Sequence, residues 1–513
     1  MKNHILLSLI ALSLLQFSCK KNNEATPIES CDVVIKNGRM RNPYTANVDG
    51  HLRQKPTHQY CKFYLHNIQE YQALESKGVY LQSLPMDEYT NQIDFPVTTT
   101  KKGILFYGVV PSGVDISAYQ YEQLDNAFIQ DNTNVNGRVT GVGLGKKISG
   151  TVKFKNPISN DYTLLAGVKV IVKDVYKTAF AFTDKDGHFE ITDDEIYSDT
   201  IQILLEFSND YYEIRTLNIA NLQAIVFPNK YSLGYKKACG LTNMQIEIGP
   251  DANNAALQHS AAMLVSLNQY KKFVADNQLK FPSKRIVIWN AVDAVISTSY
   301  SAPMLNNINL SSAANIDGLL TQLFGIPSAL SPVLRDIIGD KLPDIYAPYY
   351  NRNSNKVPRT FIETMFHEFT HASHYAQVGD DFWKDYIAYI FANGGYGDVT
   401  KPGSGMIQLS EAWAEDLSNI CAYQTYGDTI YLRYNEKPFT DFIPYGIYYD
   451  IYDDAVDRIR NRTLDEVSGL DFTQLYQLLQ PNIRNKQQFR DALKLKLPTQ
   501  TKQIDSLYVG YGF

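Results

Sequence analysis

This 513-residue sequence predicts a multidomain protein, a β-sandwich followed by an α+β domain that closes with a mostly helical subdomain. Three observations carry that expectation. The length and a hydrophobic content of 44% are enough to bury more than one core, with about three domains as the starting point. Residues 146–230 alternate apolar and polar side chains with the period of two that marks half-buried strands. Beyond residue 253 the period changes to that of helices, and one of these, Thr360–Ala376, carries paired histidines.

Taken in order, Met1–Ser18 has the form of a signal peptide. Lys2 supplies the positive start, Ile5–Leu15 an apolar stretch too short to span a bilayer, and Ser18-Cys19 a small residue before cysteine. The segment resembles a bacterial lipoprotein signal, which implies lipidation at Cys19, although Gln16 and Phe17 depart from the usual pattern and plain secretion is the alternative. Polar residues 19–30 then read as a lipid-anchored tether. The expected location is outside the cytoplasm on the bacterial outer membrane, with membrane contact through the anchor only. A net charge of −6 and the lack of any lysine- or arginine-rich block argue against a nucleic-acid partner. The remaining cysteines, Cys31, Cys61, Cys239 and Cys421, have no C-x-x-C spacing; Cys31 and Cys61 could pair in an exported protein, or all could be unpaired core residues.

Residues 31–145 mix an amphipathic helix near Tyr64–Lys77 with short strands such as Gly103–Val110, an α+β region with no legible chemistry. It resembles the amino-terminal part of lipoproteins of Bacteroidetes-type bacteria, which implies lineage and not activity. In residues 146–230, Ile148–Val152 opens a strand series, Ala166–Val172 alternates, and Thr183–Phe189 is a turn flanked by strands. This run resembles the carboxypeptidase regulatory-like domain, a β-sandwich of transthyretin type that usually stabilises or spaces. Asp184, Asp186 and His188 are accordingly read as turn residues.

From about residue 236 the last unit begins. Asn253–Asn277 has helical periodicity with His259 on a polar face. Ile286–Met304 reads as strands, its end either an edge that docks a peptide by strand addition or an ordinary edge closed by Pro303. Asp344–Tyr350 is a further strand. In the Thr360–Ala376 helix a T-x-x-E capping box is expected from Thr360 and Glu363, and His367, Glu368 and His371 form H-E-x-x-H. Residues four apart stand one above the other on a helix, so the two imidazoles can grip one metal ion. Glu368, one step round, is placed to take a proton from water and return it to a leaving amine.

A catalytic zinc needs a third protein ligand and an open position. No histidine follows His374, and Gln377 stands six residues after His371, so the third ligand is a carboxylate or an upstream histidine. Leu409–Asp416, with Glu411-Ala412-Trp413-Ala414-Glu415, resembles the glutamate-bearing helix of gluzincin metallopeptidases, the thermolysin and aminopeptidase group. The resemblance implies a zincin-like domain at 236–513, Zn2+ as cofactor, Glu411 as third ligand, Glu415 as a group orienting a ligand histidine, and a peptide or protein substrate. Glu411 stands 40 positions after His371, about twice the family's separation; the surplus, including Gly394–Asp398 and Pro402–Gly405, reads as an inserted loop near the cleft.

After Glu411, residues 442–462 and 471–495 read as mostly helical. A donor opposite the base is needed for the charge that develops on the carbonyl oxygen, and Tyr445, Tyr448 and Tyr449 are candidates, as in aminopeptidases, with a core role for all three the alternative. His374 is expected on the cleft side, as a rim residue behind the ligands and not a fourth one. The chain is therefore expected to be an exported zinc metallopeptidase. The competing class is a non-catalytic surface binding lipoprotein, for protein or glycan, that keeps a structural metal site.

Overall fold

The computed structural model describes residues 58–82, 98–127, 146–173, 178–193, 200–217, 229–237, 241–249, 255–292, 300–308, 341–349, 357–427, 442–453, 458–459 and 463–513. The leader, Cys19 and the tether lie outside these residues, as do Cys31 and Cys239. Cys61 and Cys421 are buried free thiols.

The first region is an antiparallel sheet of β1 (His58–Leu65), β2 (Tyr80–Gln82), β3 (Thr98–Thr100), β4 (Gly103–Pro111) and β5 (Tyr121–Ala127), ordered β2-β4-β1-β5 with β3 also on β4. Helix α1 (Ile68–Ser76) starts later than the expected Tyr64, because Tyr64 belongs to β1 and Asn67 caps the helix by accepting from Glu70 N at 2.9 Å.

Two four-stranded sheets follow. One contains β6 (Lys146–Lys155), β7 (Tyr162–Leu164), β10 (His188–Asp193) and β14 (Met244–Ile248); the other contains β8 (Lys169–Lys173), β9 (Thr178–Phe182), β11 (Thr200–Glu206) and β13 (Lys230–Lys237). Strand β12 (Tyr212–Leu217) leaves both and pairs in parallel with β15 (Ile286–Val292), which pairs in parallel with β16 (Ile345–Tyr349). Sheet membership thus crosses residue 230 in both directions: β12 lies before it in the later sheet, and β13 and β14 after it in the earlier ones. β15 is buried from Ile286 to Ala291, as a central strand of a parallel sheet must be.

Helices cover that small sheet. α2 (Ala255–Asp276) buries most of its surface, and His259 is fully buried, not on a polar face as the periodicity suggested. Its Nδ1 lies 2.7 Å from Ala255 O and its ring meets Phe361 edge-on at 4.9 Å, because α2 is packed on several sides and has little polar face to offer. α3 (Arg359–Val378) contains the H-E-x-x-H. The expected capping box is not formed: Pro358 is the N-cap, Thr360 already lies inside the first turn, and Glu363 turns to Arg359 at 3.4 Å. α4 (Asp380–Asn393), unforeseen in the sequence, and α5 (Ser404–Tyr426) pack beside it.

The stretch read as helix from 442 is shorter. α6 spans only Ile447–Tyr452, starting after Pro444 and Gly446, whose φ of 95° is incompatible with a preceding helical turn. A two-stranded ribbon, β17 (Arg458–Ile459) and β18 (Thr463–Leu464), replaces its expected end. α7 (Phe472–Gln477), α8 (Lys486–Lys496) and α9 (Thr501–Gly510) complete the chain. The whole is an α+β arrangement of several sheets and helices. Among the described residues no helix is long and apolar enough to cross a membrane.

Candidate metal centre

α3 and α5 lie side by side and bring together residues far apart in sequence. Phe361, Ile362, Met365, Phe366 and Phe369 bury one face of α3, which leaves His367, Glu368 and His371 directed at α5 and the cleft. On α5, Leu409, Ala412 and Trp413 are core residues, and Glu411 points from among them toward the histidines. His371 Nε2 lies 3.2 Å from His367 Nε2, and Glu411 places Oε2 3.4 Å from His367 Nε2 and Oε1 3.4 Å from His371 Nε2.

Those three separations test whether the residues fit a metal. Four ligands at about 2.0–2.1 Å around a tetrahedral ion stand about 3.3–3.4 Å from one another. The two imidazole nitrogens, 3.2 Å apart, match one edge of that tetrahedron, each Glu411 oxygen stands at the same spacing from one of them, and one ligand atom from each of the three residues lies within 4.8 Å of the others. Two imidazole nitrogens, free of their protons when a cation binds, and one carboxylate are also the donor types such an ion takes, so the cluster can hold a divalent cation and leave one corner open.

The electrostatics point the same way. Burial pulls the His367 imidazole down, yet hydrogen bonds to Glu411 and Glu415 push it up to about 10. Burial opposes charge on Glu411, and His371 and His367 nevertheless hold it well below the usual carboxylate range. The pocket therefore favours a positive charge among its ligands. Glu415 Oε2 sits 3.4 Å from His367 Nδ1, on the ring edge opposite Nε2, a position from which a carboxylate can orient an imidazole.

Glu368 is buried in the cleft wall, and its Oε2 meets no hydrogen-bond partner among the described residues. Burial raises its pKa. The cleft, about 370 Å³, is also lined by Tyr300–Pro303, Ile387, Ile390 and Tyr396. Ser301 exchanges both backbone hydrogen bonds with Tyr346 of β16, at 3.1 and 2.8 Å, which sets Tyr300–Pro303 along the edge of the parallel sheet. Buried Asp344 fixes this wall by accepting from Val287 N, Asn307 N and Asn307 Nδ2 at 2.8–2.9 Å; burial still pushes it up to about 6.

The tyrosines divide. Tyr445 is half-buried; burial and then the nearby Glu411, Glu415 and Asp416 raise its pKa, which places it beside the cluster. Asp416 holds the turn that presents it, accepting from Gly446 N at 2.7 Å and Tyr448 N at 2.9 Å. Tyr448 is a core residue, edge-on to Trp413 and Phe489 with its hydroxyl 3.4 Å from Leu409 O. Tyr449 faces acidic groups of its own turn, Asp453 and Asp450. His374 is not on the cleft side: it is fully buried against Phe382 and Trp383, 3.2 Å from Ser410 Oγ, because the three-residue step from His371 turns it toward α4. Burial and then His371 lower its pKa to about 3.

Two residues at the centre were not foreseen. Tyr386 on α4 donates to Glu411 Oε1 at 2.6 Å, and Tyr396 donates to Glu411 Oε2 at 2.7 Å. Tyr396 carried a readable sign, an aromatic ring inside Gly394-Gly395-Tyr396-Gly397; Tyr386 carried none. Comparison with family models, curated proteins and solved structures finds no match.

Proposed function

We propose that this protein is a zinc-dependent peptidase with Glu368 as general base. One observation supports it above others: two histidines and a carboxylate whose ligand atoms lie within 4.8 Å of one another share a cleft with a buried Glu368 oxygen that has no hydrogen-bond partner among the described residues. His367, His371 and Glu411 would hold zinc, which when bound supplies Lewis acidity toward a scissile carbonyl and makes water a better acid. Glu368 takes up the proton and returns it to the departing amine; its raised pKa brings it nearer the range where both steps are easy. Glu415 keeps the His367 ring in register. Tyr445 or Tyr396 is the hydroxyl donor for the carbonyl oxygen. The edge at Tyr300–Pro303 receives the peptide backbone by strand addition.

The wider reading follows the same lines. Consecutive strands β9 and β10 belong to different sheets, as in the two layers of a sandwich, which supports a carboxypeptidase regulatory-like module ahead of a zincin-like unit. The leader and Cys19 support an exported, lipid-anchored location.

The test is metal analysis and turnover of casein or a peptide library by wild type and Glu368→Gln. Retained zinc with cleavage reduced about 10²–10⁴-fold is expected. Zinc binding with no cleavage by either protein would leave a structural metal site on a binding protein.

A further inference from the structure

Glu411 has an unusual set of neighbours, one histidine and one tyrosine at each oxygen. Oε1 lies 3.4 Å from His371 Nε2 and accepts from Tyr386 at 2.6 Å; Oε2 lies 3.4 Å from His367 Nε2 and accepts from Tyr396 at 2.7 Å. Short bonds from hydroxyls to a carboxylate are strong and directional, so they fix the plane of the carboxyl group as well as its distance.

The two tyrosines are mounted differently. Tyr386 is buried, stacked on Trp383 with ring centroids 4.9 Å apart and planes inclined by 26°. Trp383 is fully buried and tied by its indole N–H to Ala302 O at 3.2 Å, so the Tyr386 ring has a rigid backing and no room to swing. Tyr396 is 45% exposed and leaves the helix on a loop with glycine on both sides. Gly397 has a φ of 66°, and a Cβ there would fall 2.5 Å from Tyr389 Oη, the same hydroxyl that donates to Tyr396 O at 3.0 Å. The backbone of the loop is thus pinned from behind, while the Tyr396 side chain reaches across the open cleft.

We propose that Glu411 is held by two tyrosines of unequal roles: Tyr386 is a fixed positioning residue for the metal site, and Tyr396 is an exchangeable cap whose hydroxyl leaves Glu411 for an oxygen of whatever occupies the cleft. This rests on the metal reading above. A carboxylate with both oxygens capped is turned edge-on to the histidines, and release of the outer cap costs the cluster little because the inner one remains.

The full-chain protein, stripped of metal, is titrated with zinc against a chelator of known affinity, as wild type, Tyr386→Phe, Tyr396→Phe and Glu411→Gln. Each zinc-saturated tyrosine variant is then titrated with acetohydroxamate, a small oxygen-donor probe. Tyr386→Phe keeps the ring on Trp383 and is expected to weaken zinc about 10–100-fold. Tyr396→Phe is expected to change zinc binding by less than about threefold and to weaken acetohydroxamate about tenfold, a loss Tyr386→Phe does not share. Unchanged zinc affinity in Tyr386→Phe, or unchanged acetohydroxamate binding in Tyr396→Phe, overturns the proposal while Glu411→Gln still loses zinc. Wild-type zinc affinity in Glu411→Gln instead removes the metal reading itself. Melting curves of the metal-free variants, expected to stay cooperative even where the midpoint shifts, separate these outcomes from unfolding.

Discussion

The helical centre at 357–427 and the strand region at 146–249 differ in how closely their unpartnered buried polar atoms are gathered. In the strand region Glu206 Oε2 and Asn229 Nδ2 are buried without a hydrogen-bond partner among the described residues but lie on separate segments. Buried Thr183 there is satisfied, accepting from Val168 N at 2.9 Å and donating to Leu165 O at 2.6 Å, and exposed Asp184 accepts from Asp186 N and His188 N, both at 2.9 Å. In the helical centre Glu368 Oε2, His371 Nδ1 and His374 Nε2 are all buried within eight residues and lack partners among the described residues. An unpaired buried polar atom costs about 1–3 kcal/mol, so three in two turns of one helix are retained against stability. That clustering beside the metal-competent residues is what supports placing the proposed chemistry in the helical centre.

The contrast breaks first at Trp383, the largest side chain behind the cluster. It is fully buried among His371, His374, Tyr375 and Tyr386. Trp383→Ala is expected to cost about 3–5 kcal/mol in urea unfolding, with the cavity opening beside Tyr386. Zinc affinity should fall with it. A variant that loses stability but binds zinc as before would show that the cluster does not depend on this backing.

Glu415 gives the next largest effect. Glu415→Gln keeps the side-chain volume but weakens the hold on His367 Nδ1, and zinc affinity measured against a chelator is expected to fall about 10–100-fold, with the fold unchanged. No comparable loss is expected from any substitution in 146–249.

How far these regions could be read in the sequence follows from the range of the contacts involved. His367, Glu368 and His371 are local, written into one helix by a spacing of four, and Glu411 with Glu415 is the same spacing on a second helix. Nothing local says that α4 stands between them. Asp380–Asn393 carries no cap or single apolar stripe that marks it as a helix of the site, because its aromatic residues occur on several faces, and only packing against His371 and Glu411 gives Tyr386 its place. His259 and His374 were misplaced for the same reason. A periodic pattern marks a polar face only where a helix meets water, and α2 and α3 are covered on more sides than their sequences suggest. Gly446 stopped a helix that apolar spacing alone would have continued.

His259 sharpens the comparison through pH. Burial lowers its pKa from 6.5 to about 4, against the help of the Ala255 carbonyl. The unfolded chain therefore takes up a proton near pH 6.5 that the folded chain refuses until about pH 4. The stability contributed by the neutral ring is complete above pH 6.5, falls as pH drops through that window, and falls no further below it. His259→Gln should flatten the slope of unfolding free energy against pH between 6.5 and 4, measured by urea midpoints at several pH values. Equal slopes for both proteins would mean that the ring accepts its proton without leaving the core.

The smallest expected effect is at Asp184, and it is the most discriminating for the strand region. Asp184, Asp186 and His188 have the composition of a metal site, and all three lie in one turn. Yet Asp184 Oδ1 is already committed to two backbone N–H groups, and its carboxyl sits below the usual range first because of the His188 N–H. Asp186 instead meets Lys185 at 2.7 Å. A carboxylate engaged with its own turn and another engaged with a lysine do not converge on a common point. Asp184→Ala should therefore lower the urea midpoint only slightly, through the lost turn hydrogen bonds, and leave zinc stoichiometry and peptide cleavage as in wild type. A drop in bound metal would make this turn a second cation site and remove the division of labour between the two regions.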